Sequence, residues 1–170
     1  MASKKHFLRV LAIMLVLGMT VIGCDTGSTG GNGFTGDTAL NGTWVDDRPA
    51  KLIFNDGNYE YYYNNLPWEK GTYSTNNGQI TFAIAHLWGG NIAHRIDIYD
   101  FGELADLLGF EPELDKWYSM TELKSIMGVQ IFNFFASEAG MDPVTYKLTP
   151  YTYSINGDVL ILVDAEYNRQ

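Results

Sequence analysis

The sequence predicts a mainly β fold over residues 40–170: an antiparallel up-and-down β-barrel with a two-helix insert before its last hairpin. Three observations carry that expectation. From Leu40 onward, short segments rich in aromatic and β-branched residues alternate with Asn, Asp, Gly and Pro, the pattern of strands and turns. Asp56-Gly57, Asn77-Gly78 and Asn156-Gly157 are tight-hairpin dipeptides set between such segments. Between residues 100 and 140 the apolar spacing changes from two to three and four, the period of a helix. A chain of 170 residues suits one domain with one core.

The amino terminus reads as an address. Residues 1–23 begin with Lys4, Lys5 and Arg9 and continue in an apolar run from Val10 to Ile22. That is the form of a secretory signal, and the run is short for a bilayer span, which takes roughly 20 apolar residues. It ends Val21-Ile22-Gly23-Cys24-Asp25, which resembles the lipobox of bacterial lipoproteins. The resemblance implies cleavage before Cys24, lipidation of its thiol and attachment to a bilayer on the extracytoplasmic side. Asp25 fits a rule that retains some lipoproteins at the inner membrane, but groups differ and the choice of membrane stays open. Loss of residues 1–23, with three basic residues and no acid, would take the formal charge from −9 to −12. Residues 24–39 then form a Gly/Ser/Thr-rich tether with an average reach of about 20 Å.

In the folded part, strands are expected at Gly42–Asp47, Lys51–Asn55, Asn58–Asn64, Lys70–Thr75 and Gln79–His86, then at Thr145–Ile155 and Asp158–Val163. Gly42-Thr-Trp44 is echoed by Gly71-Thr-Tyr73, and Tyr73–Phe82 by Tyr153–Leu162 with a one-residue difference at the turn. A one-residue slip exchanges the two faces of a strand, so the inward set of the last strand stays open. In the insert, Leu104, Leu107 and Leu108 share a side of a first helix. Ser119-Met-Thr-Glu122 is a capping box opening a second, with Leu123, Ile126, Met127, Ile131, Phe134 and Phe135 as its stripe. Gly140 and Pro143 end it. Packing against the sheet is the simpler use of that stripe; a lid over a barrel mouth or a partner-binding helix is the other.

Leu40-Asn-Gly-Thr-Trp-Val45, the hairpins and the lipobox together resemble the lipocalin-like domains of bacterial lipoproteins and, more distantly, the calycin group. The resemblance covers about residues 40–86 and 144–169. It implies that Gly42 and Trp44 open the first strand, that Arg169 packs across Trp44, and that the barrel encloses a ligand. The helical pair departs from the pattern.

Candidate site residues follow from strand alternation. Tyr59, Tyr61 and Tyr63 share one face, with Glu60 and Tyr62 on the other, and three phenols in a row suit a cavity with apolar walls and polar tips. Tyr is also an ordinary strand residue. Tyr73 and Phe82 extend the candidate lining, with Trp68 and Trp88 behind them. Asp97, Asp100, Glu103 and Asp106, with Glu111, Glu113 and Asp115, read as a solvated acidic face, since the spacing of a calcium loop is absent. His86 and His94 lack the partners of a zinc site, although His86 with Glu60 or Asp97 stays open. One cysteine excludes an internal disulfide. A charge of −9 argues against nucleic acid, and no nucleophile elbow, phosphate loop or dinucleotide motif occurs.

The sequence therefore predicts no enzyme, metal or cofactor. It predicts a lipid-anchored barrel taking a small apolar ligand. The alternative is a surface or periplasmic interaction module whose barrel is filled by its own side chains, with its protein partner unidentified.

Overall fold

The computed structural model describes residues 36–98 and 110–170. Cys24, the expected tether as far as residue 35 and the expected helix beginning at Asp100 lie outside them, whereas Asp37–Ala39, expected as the end of the tether, are bonded to the barrel.

Eight antiparallel strands close a barrel: β1 (Gly42–Val45), β2 (Ala50–Asn55), β3 (Asn58–Tyr63), β4 (Leu66–Asn76), β5 (Gln79–Trp88), β7 (Tyr151–Asn156), β8 (Val159–Leu162) and β9 (Ala165–Arg169). A short strand, β6 (Trp117–Ser119), extends the sheet from the far half of β5. Each barrel strand pairs with the next along the chain, and β9 pairs back onto β1 through Trp44–Arg169 and Val45–Asn168. The architecture is the expected lipocalin-like up-and-down barrel.

Local chemistry sets the turns. Asp56 and Gly57 take φ of 43° and 86°, and Asn77 and Gly78 take 50° and 72°, the left-handed pairs that suit two-residue hairpins. Asn64 and Asn65 do the same between β3 and β4. Two register shifts then tune what faces inward. One falls between Tyr61 and Tyr62 against β4, where Tyr61 pairs with Glu69 and Tyr62 with Pro67. The other falls between Lys70 and Gly71, where Lys70 pairs with His86 and Gly71 with Ile84. The second shift turns Leu87 rather than His86 inward, opposite Glu69. Here β5 runs so close that a Cβ on Gly71 would stand 2.0 Å from the Ala83 carbonyl oxygen, so the position requires glycine.

One end of the barrel is closed and dry. Leu40, Trp44, Phe54, Ile80 and Leu160 are buried there, with Tyr73 edge-on to Phe54 at 4.9 Å. A one-turn strap at Thr38–Leu40 crosses this end. The Trp44 indole Nε1 donates to the Leu40 carbonyl at 2.6 Å, and the Asp37 amide donates to Thr75 Oγ1 at 2.8 Å. Arg169 lies over the Trp44 ring at 4.2 Å, and its two terminal nitrogens donate to the Asn41 and Ala39 carbonyls at 2.7 and 2.8 Å. Gly42, with φ of 133°, leaves room for that guanidinium: a Cβ there would stand 3.1 Å from Nη1.

The insert corrects the expected boundaries. It begins at α1 (Gly89–Ile98), directly on the end of β5; the chain rejoins β5 near the predicted start at Thr145, through the Ala83–Lys147 bridge and the Leu148 amide donating to the Phe82 carbonyl at 2.9 Å, while the regular strand β7 begins only at Tyr151. Among the described residues it holds three helices and β6. The expected single helix after Ser119 is two, α2 (Met120–Met127) and α3 (Val129–Glu138). Ser119 Oγ accepts from the Glu122 amide at 3.1 Å, as the capping box requires. Gly128, at φ 75°, then leaves the helix and resets the phase of the stripe. Leu123, Met127 and Phe135 are buried as expected, but Phe132 and Ala136 replace Phe134, which is 52% exposed. These side chains pack on Ile84 and Leu87 of β5, together with Ile92 and Tyr118. A further strand was missed at the carboxyl end: β8 turns at Val163-Asp164 into β9, which completes the closure.

Candidate ligand-binding site

The barrel is packed at its strapped end and hollow toward the other. The cavity measures about 420 Å³, within the range of small-molecule sites. Its floor and walls come from the inward positions of consecutive strands: Leu52 on β2, Tyr59 and Tyr61 on β3, Glu69 on β4 and Phe82 on β5. Tyr151 and Tyr167 line it from β7 and β9, with Leu148 where the insert returns to the barrel. The rim carries Arg48 from the β1–β2 loop and Val163 and Asp164 from the β8–β9 turn.

Aromatic packing stiffens the wall. The Tyr59 ring meets Phe82 edge-on at 4.7 Å, and Phe82 stands 6.1 Å from Tyr151. Glu69, 9% exposed, is a buried acid of the lining, and the Tyr59 hydroxyl donates to its Oε1 at 3.1 Å. Burial, with the nearby Tyr167 and Glu69, pushes the Tyr61 phenol well above its ordinary range. Burial and Asp46 raise Tyr167 too, against a smaller opposing effect of Arg48. Both phenols are thus neutral at physiological pH, able to donate or accept hydrogen bonds. At the rim, Arg48 Nε and Nη2 each lie 2.9 Å from Asp46 Oδ2, whose side chain is 1% exposed. Val163 holds φ of 58°, an uncommon conformation for a β-branched residue, and its amide donates to the Thr152 carbonyl at 3.0 Å.

Of the five predicted lining residues, Tyr59, Tyr61 and Phe82 meet at the cavity. Tyr63 shares their face but sits past the rim, 39% exposed, against Trp68 at 5.8 Å. Tyr73 is spent in the closed end: its hydroxyl donates to Asn41 Oδ1 at 3.3 Å, and its ring is part of the dry core. Trp68 reaches His94, and Trp88 pairs with Trp117 at 5.1 Å, both away from the cavity. Gly42, Trp44 and Arg169 hold the strap, as described. His86 stands across from Lys70 and Ser119 on the outer side, and burial followed by Lys70 holds its pKa below the usual value. Glu60 accepts from the Tyr62 hydroxyl at 2.6 Å. Among the described residues no group of three His, Cys, Asp or Glu could hold a metal, and Glu111, Glu113 and Asp115 are exposed.

The sequence reading missed Glu69, Tyr151 and Tyr167. Glu69 was within reach: it lies two residues before Gly71 and four before Tyr73, on the same alternate set, but the expected strand began one residue later. Tyr167 belongs to the strand that was not foreseen.

No protein-family model, curated protein or solved structure matches the chain.

Proposed function

We propose that this chain is a bacterial lipoprotein, anchored through an acylated Cys24, whose lipocalin-like barrel binds a small, mostly apolar molecule in its interior. The cavity of about 420 Å³, walled by Leu52, Phe82 and tyrosines, carries the binding half of this reading. A barrel filled by its own side chains, the premise of the interaction-module alternative, does not match a hollow of that size. The anchor half rests on the ending Val21-Ile22-Gly23-Cys24 of the amino-terminal apolar run. Two acyl chains suffice for stable attachment where one does not, and the Gly/Ser/Thr-rich tether ahead of the strap at Asp37 sets the barrel off the membrane surface, from which its acidic charge would be repelled. The protein on this reading carries its ligand rather than transforming it.

The test is native mass spectrometry of the mature chain with Cys24→Ser, beside a denatured control and an Ala165→Phe variant that plugs the cavity. An added mass that leaves on denaturation and is lost in Ala165→Phe supports binding in the barrel. Failure of every apolar fluorescent probe to bind the folded protein would sink it. For the anchor, metabolic labelling with a radioactive fatty acid should mark the wild-type chain and not Cys24→Ser; equal labelling of both refutes it.

A further inference from the structure

We propose that the ligand of the barrel is an uncharged molecule with a carbonyl-type oxygen on an apolar body, held by the phenol hydroxyls of Tyr61 and Tyr167. This rests on the binding reading above and specifies the ligand class.

Several phenols of the barrel are spent inside the chain. The hydroxyls of Tyr62, Tyr73 and Tyr153 donate to Glu60, Asn41 and Asp37, and that of Tyr59 donates to Glu69. Tyr61 and Tyr167 differ. Among the described residues neither hydroxyl has a hydrogen-bond partner, although Tyr167 is only 7% exposed. No side-chain nitrogen or oxygen described is both sealed from solvent and unpartnered, so the Tyr167 oxygen opens onto space. The space that Tyr61 and Tyr167 both line is the cavity. A desolvated hydroxyl without a partner is costly, so a ligand that displaces water here must supply one.

Strand alternation and charge place the two together. On β3, Tyr61 comes two residues after Tyr59 of the inner wall and two before Tyr63, which lies past the rim. On β9, Tyr167 comes two residues before Arg169 of the strap. Burial is the largest cause that raises both phenols, and Asp46 contributes to each, which sets them beside the same carboxylate. For Tyr61 the cause next after burial is Tyr167 itself, so the phenols are neighbours.

Their protonation selects the ligand. Both phenols keep their protons and can donate, and one carbonyl oxygen, with two lone pairs, accepts both bonds at once. An ammonium offers them no acceptor. The desolvation that opposes a phenolate at this level opposes a ligand carboxylate equally. Leu52, Phe82, Leu148 and Leu162 in the same lining suit an apolar body behind the oxygen.

The test is calorimetric titration of the mature Cys24→Ser chain with 2-acetylnaphthalene, its hydrocarbon isostere 2-isopropenylnaphthalene, and 2-naphthoate. An elongated series (2-undecanone, 2-methylundec-1-ene, decanoate) covers a narrower body. Within the series that binds, Tyr61→Phe and Tyr167→Phe should each weaken the ketone about threefold or more and leave the hydrocarbon within about twofold. In the double variant the ratio of ketone to hydrocarbon affinity should fall at least about tenfold. The carboxylate should bind the wild-type chain more weakly than the ketone. Each substitution keeps the ring and breaks no hydrogen bond of the described residues, so circular dichroism should show a retained fold. Should a variant fail to fold, the infrared carbonyl stretch of the ketone bound to the wild-type chain decides: it should lie below its value in an alkane solvent. A ratio unchanged in the variants, a stretch at the alkane value, or a carboxylate binding more tightly than the ketone overturns this inference and leaves the binding reading standing. No binding by either series overturns both.

Discussion

Replacing Arg169 by alanine tests how the barrel is closed. The guanidinium donates to two carbonyls of the strap, Asn41 at 2.7 Å and Ala39 at 2.8 Å, and stacks on Trp44 at 4.2 Å. A hydrogen bond from a charged donor contributes about 1.5–3 kcal/mol, and the lower figure applies here because the Ala39 bond is solvent-exposed. The cation–π stack adds about 0.5–1 kcal/mol. Arg169→Ala should therefore cost about 3.5–4 kcal/mol, seen as a lower urea midpoint at unchanged slope and a melting temperature lower by roughly 10–15 °C. Arg169→Lys keeps the charge but cannot reach both carbonyls from one plane, and should recover about half. The ion pair of Arg169 Nε with Asp158, 3.3 Å long, ends on a side chain 85% exposed, so Asp158→Ala should change stability by less than about 0.5 kcal/mol. Urea titration followed by tryptophan fluorescence and circular dichroism separates these values. A loss under about 1 kcal/mol for Arg169→Ala, or an equal loss for Asp158→Ala, would refute the claim that the strap is held by these carbonyl bonds and the stack.

Two further outcomes are expected. Gly71→Ala drives a Cβ to 2.0 Å from the Ala83 oxygen, backbone that cannot yield, and should cost at least about 3 kcal/mol. Gly78→Ala meets open space and bears only its left-handed φ of 72°, about 1 kcal/mol, so similar urea midpoints for the two variants would contradict the close approach at the β4–β5 bulge. Stability should also fall in alkali. Burial, the largest cause, raises Tyr73 from 10.0 to about 12, so the folded state keeps a proton that the unfolded chain releases first. The contribution is complete below about pH 10 and is lost between about pH 10 and 12. Urea midpoints measured across that window should drop, less steeply in Tyr73→Phe; a flat profile would show that the phenol is not desolvated.

The strands that were easiest to foresee are those whose turns are written locally. Asp56-Gly57 and Asn77-Gly78 adopt left-handed φ at little cost wherever they occur, so β2 to β5 could be placed from composition. The β8–β9 turn lacks that punctuation. Val163 takes φ 58° against its own preference, held by its amide bond to Thr152, and nothing local announces it. The strand after it, and with it Tyr167, was lost to the reading. The helix after Ser119 was recognised by its cap but not by its break, because an isolated Gly128 is tolerated in a helix and here is not.

The site divides along the same line. Alternation along β3 suffices to put Tyr59 and Tyr61 on one face, because the period of a strand is a property of the backbone. Whether that face meets a cavity or a packed core depends on the residues opposite, which come from other strands at a stagger set by closure. Tyr73 and Phe82 looked alike as candidates and are register partners on β4 and β5, yet Tyr73 packs edge-on to Phe54 in the closed core while Phe82 also meets Tyr59 and Tyr151 and lines the cavity.

Local and periodic features could be read from the residues: the charged-then-apolar amino terminus ending at Cys24, the hairpins, the tyrosine face, the cap at Ser119 and, through the resemblance, Gly42, Trp44 and Arg169 as a set. Closure of the sheet fixed where the barrel is full and where it is hollow. It also decided that Glu69 stands inside with Tyr59, and that Arg48 is bound to Asp46 at the rim. Those facts depend on registers and bulges between strands distant in the chain, and a register is chosen by the packing of the whole barrel at once rather than by any segment within it.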